Sequence, residues 1–571
     1  MLEAPKTEMR QWELSSFEPS LPVTEKSNPI TRDIDRANTE QIVHMLEECD
    51  KELFEEGWHT DSVYKRLKNP SVIQTMVDLA KNVESILKEP NSLIIMSGCG
   101  TSGRIAFLLA TSFNSMLKDL QQKEICSYII AGGDMALLTS QEAPEDSPIL
   151  GADILDKARE GKKHVLFIGI SCGLSAPFVA GQLDFCLNCD VFTPVLIGFN
   201  PVHMARAEPI RDWPLNFKRV AEKMMEKQDS QKAFILNPAV GPEAISGSSR
   251  MKGGSATKML LETVLWAGLN AAYNRREITP AAMLAQIKMY ERAHEFTYSQ
   301  REKIAVLVEK AGLSLKGKGH VYYVGWKTLG IIGIIDASEC VPTFGAGSED
   351  IRGFIYNGFQ EMKNEEGDLS SMGSQFRIDH RDFVNVILPT LSKHDTVIFL
   401  FTVNDDLNEV KELASQVKGK TSNLHALTHD CVGNSVPNQQ WEISTKWSLN
   451  AISTGAHILK GKVYRNYMID LKVTNSKLYR RAIHILQCFT SCSMVQCETA
   501  LLKAVYDVEE LTTEIISADV SKHTEVANTR DRVIPTALVM LQCGCSVKEA
   551  RSRLNNYSVV RDAVDSLLSV K

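Results

Sequence analysis

The sequence predicts an α/β protein: two tandem modules built on parallel sheets, followed by an all-helical C-terminal domain. Three observations carry this. Short apolar runs ending in glycine-rich turns alternate with longer runs of helical periodicity, the pattern of a parallel sheet flanked by helices. The same strand-and-turn order then recurs, Gly98 matching Gly325 at an offset of 227 residues and His164 matching Thr396 at 232, which marks a duplicated module. From Asn450 onward strand signal is scarce, and 478–505, 534–541 and 547–568 carry helical spacing. With 571 residues, 44% hydrophobic and 23% charged, the chain can build several cores and is too apolar to be largely disordered.

The arm at 1–45 is polar and interrupted by Pro5, Pro19, Pro22 and Pro29, so it is expected to run extended and pack on the helical end of the chain. Helical periodicity covers 39–54 and 72–87. The first module, 46–285, opens its sheet at 92–96 and turns through Gly98-Cys-Gly-Thr-Ser-Gly-Arg104 into an apolar helix at 105–117. Further strands are expected at 126–130, 164–170 and 195–197, the first two ending in Ala131-Gly-Gly-Asp134 and Ser171-Cys-Gly-Leu-Ser175. In such a sheet the ligand crevice lies beyond the carboxyl ends of the strands. The second module, 286–449, repeats the scheme from Lys318-Gly-His-Val-Tyr-Tyr-Val-Gly325 into Trp326-Lys-Thr-Leu-Gly330, with a later strand at 396–401. Residues 450–571 make the helical domain.

A net charge of −7, a pI near 6.1 and the lack of an extended Lys/Arg tract leave no electrostatic basis for nucleic acid or an anionic membrane as partner. The N-terminus shows no apolar leader, and no run of about 18 apolar residues occurs; an intracellular, soluble protein is expected. Thirteen cysteines, an odd number mostly within apolar runs, fit reduced core thiols. Cys186 with Cys189, Cys543 with Cys545, and His484, Cys488 and Cys492 at helical steps are each only fragments of a metal site, so no metal or cofactor is expected.

Three loops carry the chemistry. In the Gly98–Arg104 turn the hydroxyls of Thr101 and Ser102, with main-chain amides at a helix start around Gly100 and Gly103, offer donors to a phosphate. The pattern lacks the lysine of a P-loop and the spacing of a dinucleotide fingerprint. Ser171-Cys-Gly-Leu-Ser175 stands at the neighbouring strand end, where Ser171 and Ser175 extend the ring of donors. The third, Gly241-Pro-Glu-Ala-Ile-Ser-Gly-Ser-Ser-Arg-Met-Lys-Gly-Gly254, precedes a helix and reads as an anion nest with Arg250 beside it.

Gly100-Thr-Ser-Gly-Arg104, Ile170-Ser-Cys-Gly-Leu-Ser175 and Gly241-Pro-Glu with Gly247-Ser-Ser-Arg-Met-Lys252 resemble the sugar isomerase (SIS) domains of the N-acetylmuramic acid 6-phosphate etherases. With Thr24-Glu-Lys-Ser-Asn-Pro29, Gly173-Leu-Ser-Ala-Pro-Phe-Val-Ala-Gly-Gln182, the doubled module and the helical end, the chain is more specifically similar to the glucokinase regulatory protein family. That resemblance implies two SIS domains under a helical lid, one phosphosugar site, and inhibition of glucokinase modulated by fructose 6-phosphate and fructose 1-phosphate. It also implies residence in cytoplasm and nucleus. Carried over residue by residue, the ligand contacts fall on Thr101, Ser102, Glu145, Ser171, Cys172, Gly173, Ser175, Glu339 and Lys477. The hydroxyls would hold the phosphate, Glu145 and Glu339 would accept sugar hydroxyls, and Lys477 would bring charge from the lid. The family's partner surface includes the stretch near Val191 and an apolar insertion before the lid; here Cys431-Val-Gly-Asn-Ser-Val-Pro-Asn-Gln-Gln-Trp441 is short.

The etherases carry a glutamate inside Asp-Ala-Ser-Glu-Cys. In the first module Ser112 stands there, but the second reads Asp336-Ala-Ser-Glu-Cys340, so Glu339 reaches the first module's site if the halves face each other like subunits of a symmetric dimer. The second module has lost the serine, reading Thr328-Leu329-Gly330, and ends its later strand in Thr402-Val-Asn-Asp405, where Asp405 and Asp406 repel a phosphate. A regulatory inhibitor rather than an enzyme is therefore expected, with an etherase-type lyase as the alternative.

Overall fold

The computed structural model describes residues 10–56, 64–141, 143–428, 438–557 and 559–568. The first sheet holds β1 (Ser92–Gly98), β2 (Cys126–Ile130), β3 (His164–Ile170), β4 (Phe192–Ile197) and β5 (Phe234–Leu236), all parallel, in the order β2-β1-β3-β4-β5. The second holds β6 (Val321–Gly325), β7 (Ile351–Ile355), β8 (Thr396–Leu400) and β9 (Leu424–Leu427), also parallel, in the order β7-β6-β8-β9. The second order repeats the first four strands of the first, so the sequence repeat is a repeat of topology. Strands buried on both faces read as unbroken apolar runs, which is why β1, β2, β3, β6 and β8 stand out in the sequence. β5 is three residues long, β7 contains Arg352 and Gly353, and β9 is half-exposed; none gives such a signal.

Each module packs its first helix on its first strand through paired glycines. A Cβ on Gly103 would stand 2.5 Å from Ile130 Cγ1 and 2.7 Å from Gly98 O; one on Gly330 would stand 2.8 Å from Ile355 Cγ1 and 3.1 Å from Gly325 O. Ile130 is the register partner of Gly98, and Ile355 that of Gly325. The same close approach is built twice.

The helices Pro280–Tyr298 and Asn438–Leu459 run through the expected module boundaries at 285/286 and 449/450. A boundary falls in an exposed linker where few contacts cross, whereas Asn438–Leu459 packs against Arg301–Lys316, Lys327–Phe344 and Pro280–Tyr298 and buries Ile443, Trp447, Ile452 and Ala456. It is a central helix shared by the modules. In the C-terminal domain the expected helices at 478–505 and 547–568 are each two. Ser476–Phe489 and Met494–Tyr506 are separated where Ser493 and Gln496 form a reciprocal N-cap, and Val547–Asn556 ends before Val560–Leu568.

The arm is wedged between the first module and the lid. Trp12 is fully buried with Val23, Tyr64 and Ala239, and its indole donates to Glu52 at 3.0 Å. Asn28 donates to Glu52 and to Pro242 O. Ser27 donates to Asn466, and Asp35 pairs with Arg561 at 2.6 Å.

Candidate functional site

A crevice of about 130 Å³ opens beyond the carboxyl ends of β1 and β3. Gly100, Thr101, Ser102, Glu145, Ser171, Cys172, Gly173, Ser175, Arg250, Glu339 and Lys477 all line it. Gly103 does not: its missing side chain serves the helix-on-strand contact. Val191 precedes β4, at the end of the sheet away from the crevice, half-buried, with its carbonyl accepting from Val165. Thr24, Glu25, Arg104 and Arg481 also line the crevice and were missed; Thr24 and Glu25 lie in the Thr24–Pro29 motif, which was the available signal.

Gly100 adopts φ +50°, so the turn needs glycine there, and Glu145 Oε1 stands in ordinary contact range of that position, 3.4 Å from where a Cβ would be. The helix Thr101–Asp119 starts at Gly100 with no side-chain cap, aiming its positive dipole end at the crevice. Ser102 Oγ lies 3.6 Å from Cys172 Sγ, itself 3.9 Å from Thr257 Oγ1. Burial pushes the Cys172 thiol up to about 11, so it packs as a neutral group. Ser171 Oγ accepts from the amides of Ser175 (3.0 Å) and Ala176 (3.3 Å). Its lone pairs hold the loop, and its proton is what it offers a ligand.

The third loop departs from expectation. The amides of Lys252 and Gly253, at the start of the helix Lys252–Asn274, donate to Glu243 at 2.8 and 2.7 Å. A carboxylate of the chain thus fills the anion nest. Burial raises Glu243 to about 7, against Lys252. Arg250 is likewise engaged elsewhere: it donates to Asp336 (3.0 Å), Ser453 (2.9 Å) and Thr454 (2.7 Å) and lies over the Phe344 ring. Its length carries the guanidinium across to the second module and the shared helix, so it braces the crevice wall rather than offering charge to a ligand.

The helix Lys327–Phe344 packs on Thr101–Asp119 and places Glu339 of the second module at the first module's crevice. Glu339 is 2% exposed, lies 3.9 Å from Arg250, and its Oε1 has no hydrogen-bond partner among the described residues. Burial raises its pKa, opposed by Arg104, Arg250 and Lys446. Lys446 donates to Arg250 O and Asn450 Oδ1, and Asn450 donates to Asp336, closing a buried network below the crevice. Opposite, Glu145 accepts from Lys477 at 3.1 Å, while Asp146 takes the amide and hydroxyl of Ser476. The lid helix Ser476–Phe489 is therefore clamped by its first turn to the first module. At the equivalent place in the second module, Asp405 accepts from Thr402 N and Oγ1 and pairs with Lys327 at 2.8 Å; an internal carboxylate sits among the donors.

Among the described residues no group of three possible metal ligands converges and every cysteine is a free thiol; His484 Nε2 and Cys488 Sγ lie 3.3 Å apart. No helix among these residues is long and apolar enough to cross a membrane. The short segment before the shared helix lies, at 429–437, outside the described residues.

Fold and site together define a class: a tandem SIS-domain protein whose first-module crevice is closed by a helical lid. Family models agree, matching residues 78–187 to the glucokinase regulatory protein N-terminal SIS domain, 298–440 to its second SIS domain and 465–564 to its C-terminal lid domain. The glucokinase regulatory protein of Xenopus laevis is 48% identical over 98% of this chain and 95% of its own length, and that of Mus musculus 47% over 100% and 96%. This chain belongs to the glucokinase regulatory protein family. More distantly, an N-acetylmuramic acid 6-phosphate etherase of Oceanobacillus iheyensis is 30% identical over 42% of the chain and 78% of the enzyme. Among solved structures, tagatose-6-phosphate ketose/aldose isomerase of Escherichia coli aligns at 11% identity and a TM-score of 0.42, over 73% of this chain and 93% of that one.

Proposed function

We propose that the chain is a phosphosugar-responsive inhibitor of glucokinase, taking fructose 6-phosphate and fructose 1-phosphate in the first-module crevice. The observation that carries this is the composition of one volume: an uncapped helix start and hydroxyl-bearing loops from the first module, Glu339 from the second, and Lys477 from the lid. A ligand there touches three parts of the chain at once. Thr101, Ser102, Ser171 and Ser175 donate to the phosphate, Glu339 accepts a sugar hydroxyl, and Lys477 follows the ligand from the lid. Such a ligand favours one arrangement of lid and modules, and so changes affinity for a partner by its differential affinity for the two arrangements, typically about 1–3 kcal/mol.

The alignment to the mouse relative covers 599 positions against 571 residues here, so at least 28 of those positions have no counterpart in this chain. Together with the short 431–441 segment, this bears on how strongly the chain binds glucokinase, which the assay below measures. Residence in both cytoplasm and nucleus belongs to the same proposal and is checked by imaging the tagged chain. The test of function is a glucokinase assay with the purified chain, titrated with each fructose phosphate; inhibition that shifts with ligand supports the proposal, and a kinase rate indifferent to the chain refutes it.

One observation favours a second reading. Glu145 and Glu339 face the same crevice; paired carboxylates suit removal of a carbon-bound proton and protonation of a departing ether oxygen. Lactate release from N-acetylmuramic acid 6-phosphate, with no effect on glucokinase, would establish it instead.

A further inference from the structure

We infer that Glu25 of the N-terminal arm is the crevice's built-in competitor anion, holding the lid's Arg481 until a ligand phosphate displaces it and so limiting how readily a dianion enters. This rests on the phosphosugar reading above. Glu25 accepts from Arg481 through both oxygens, at 2.6 and 3.2 Å, a bidentate pair. The guanidinium lies against the serine loop: a Cβ on Gly247, which has φ +75°, would stand 2.7 Å from Arg481 Cζ. Both partners line the crevice beside the loops that offer donors.

The charges there explain why this pair matters. With Arg250 held by Asp336, the cations Arg104, Lys477 and Arg481 face the carboxylates Glu25, Glu145 and Glu339, a net charge of zero on the lining. Lys477 is held by Glu145. A phosphate monoester carries close to two negative charges at neutral pH, and the lining meets it with no net positive charge. Releasing Glu25 uncovers one. Of the three carboxylates Glu25 is the one that can leave: its side chain is 33% exposed, against 7% for Glu145 and 3% for Glu339, so swinging into water costs it little, while the others cannot rehydrate without opening the fold. Arg481, at 11% exposed, stays behind as a partly desolvated cation facing the ligand. The neighbouring Thr24 is tied to Asn200, which also holds Gly173 O of the second loop, so release of Glu25 is felt by the arm.

The experiment compares the parent chain with Glu25→Gln, Arg481→Gln and the double variant, titrated calorimetrically with fructose 6-phosphate, while hydrogen exchange over 22–31 is followed with and without ligand. Glu25→Gln is expected to bind about two- to tenfold tighter. In the Arg481→Gln background the same change is expected to give less than half of that gain, and in the parent the ligand is expected to raise exchange across 22–26. A parent that binds while Glu25→Gln binds no tighter overturns this inference and leaves the phosphosugar reading standing. If neither binds, both fall.

Discussion

Ser102 and Lys477 meet the crevice from opposite sides, one as a neutral donor at a helix start and the other as a cation that Glu145 holds at 3.1 Å. A hydrogen bond to a charged group contributes about 1.5–3 kcal/mol, so Ser102→Ala is expected to weaken fructose 6-phosphate binding roughly ten- to a hundredfold, read by calorimetry, with the melting temperature of the ligand-free chain little changed. Lys477→Ala is expected to weaken it by about tenfold or more, and Lys477→Arg to recover part of the loss. A buried histidine gives a pH prediction. His294, 4% exposed among Phe54, Tyr298 and Trp447, is lowered to about 4 by burial. Between the unfolded value near 6.5 and about 4 the unfolded chain binds a proton that the folded one refuses, so this residue costs stability as pH falls through that window. His294→Phe removes the cost. Its stability relative to the parent, from urea melts, is expected to improve by up to about 2 kcal/mol between pH 7.5 and pH 5; a pH-independent difference contradicts it.

At the scale of elements, the helices Lys327–Phe344 and Asn438–Leu459 fasten the second module to the crevice through Arg250, Asp336, Asn450 and Ser453. Breaking a buried ion pair by removing one partner costs about 3–5 kcal/mol. Asp336→Ala is therefore expected to lose that much stability in chemical denaturation, whereas Arg250→Met with Asp336→Leu is expected to regain most of it. What the sequence revealed divides along the same line. Loops whose function is local, such as Gly100-Thr-Ser102 and Ser171 to Ser175, could be read from their residues, because a glycine turn between a strand and a helix fixes where its donors point. Arg250 and Glu243 could not. Their partners, Asp336 in the other module and the amides of a helix start, are set by how the chain folds back, and serine-rich spacing alone made the loop look like an open anion nest with Arg250 beside it. The Glu25–Arg481 contact spans 456 residues, and no periodicity reports it. The expected boundaries at 285 and 449 fall inside the helices Pro280–Tyr298 and Asn438–Leu459, because periodicity alone does not tell which module a helix packs on.

For the molecule as a whole, duplication has produced two sheets of matching order, with the donors of the first module's crevice facing the cavity and an acidic side chain, Asp405, among those of the second. Such asymmetry suits a sensor with one site per chain, with the arm, both modules and the lid all contributing to its walls. The central claim is that this crevice captures a sugar phosphate. A crystal structure of the chain grown with fructose 6-phosphate tests it most directly: the phosphate is predicted between the Thr101–Ser102 helix start and the Ser171–Ser175 loop, with Glu339 on a sugar hydroxyl and Lys477 above it. Density for the sugar elsewhere, with these side chains as they stand now, would contradict it.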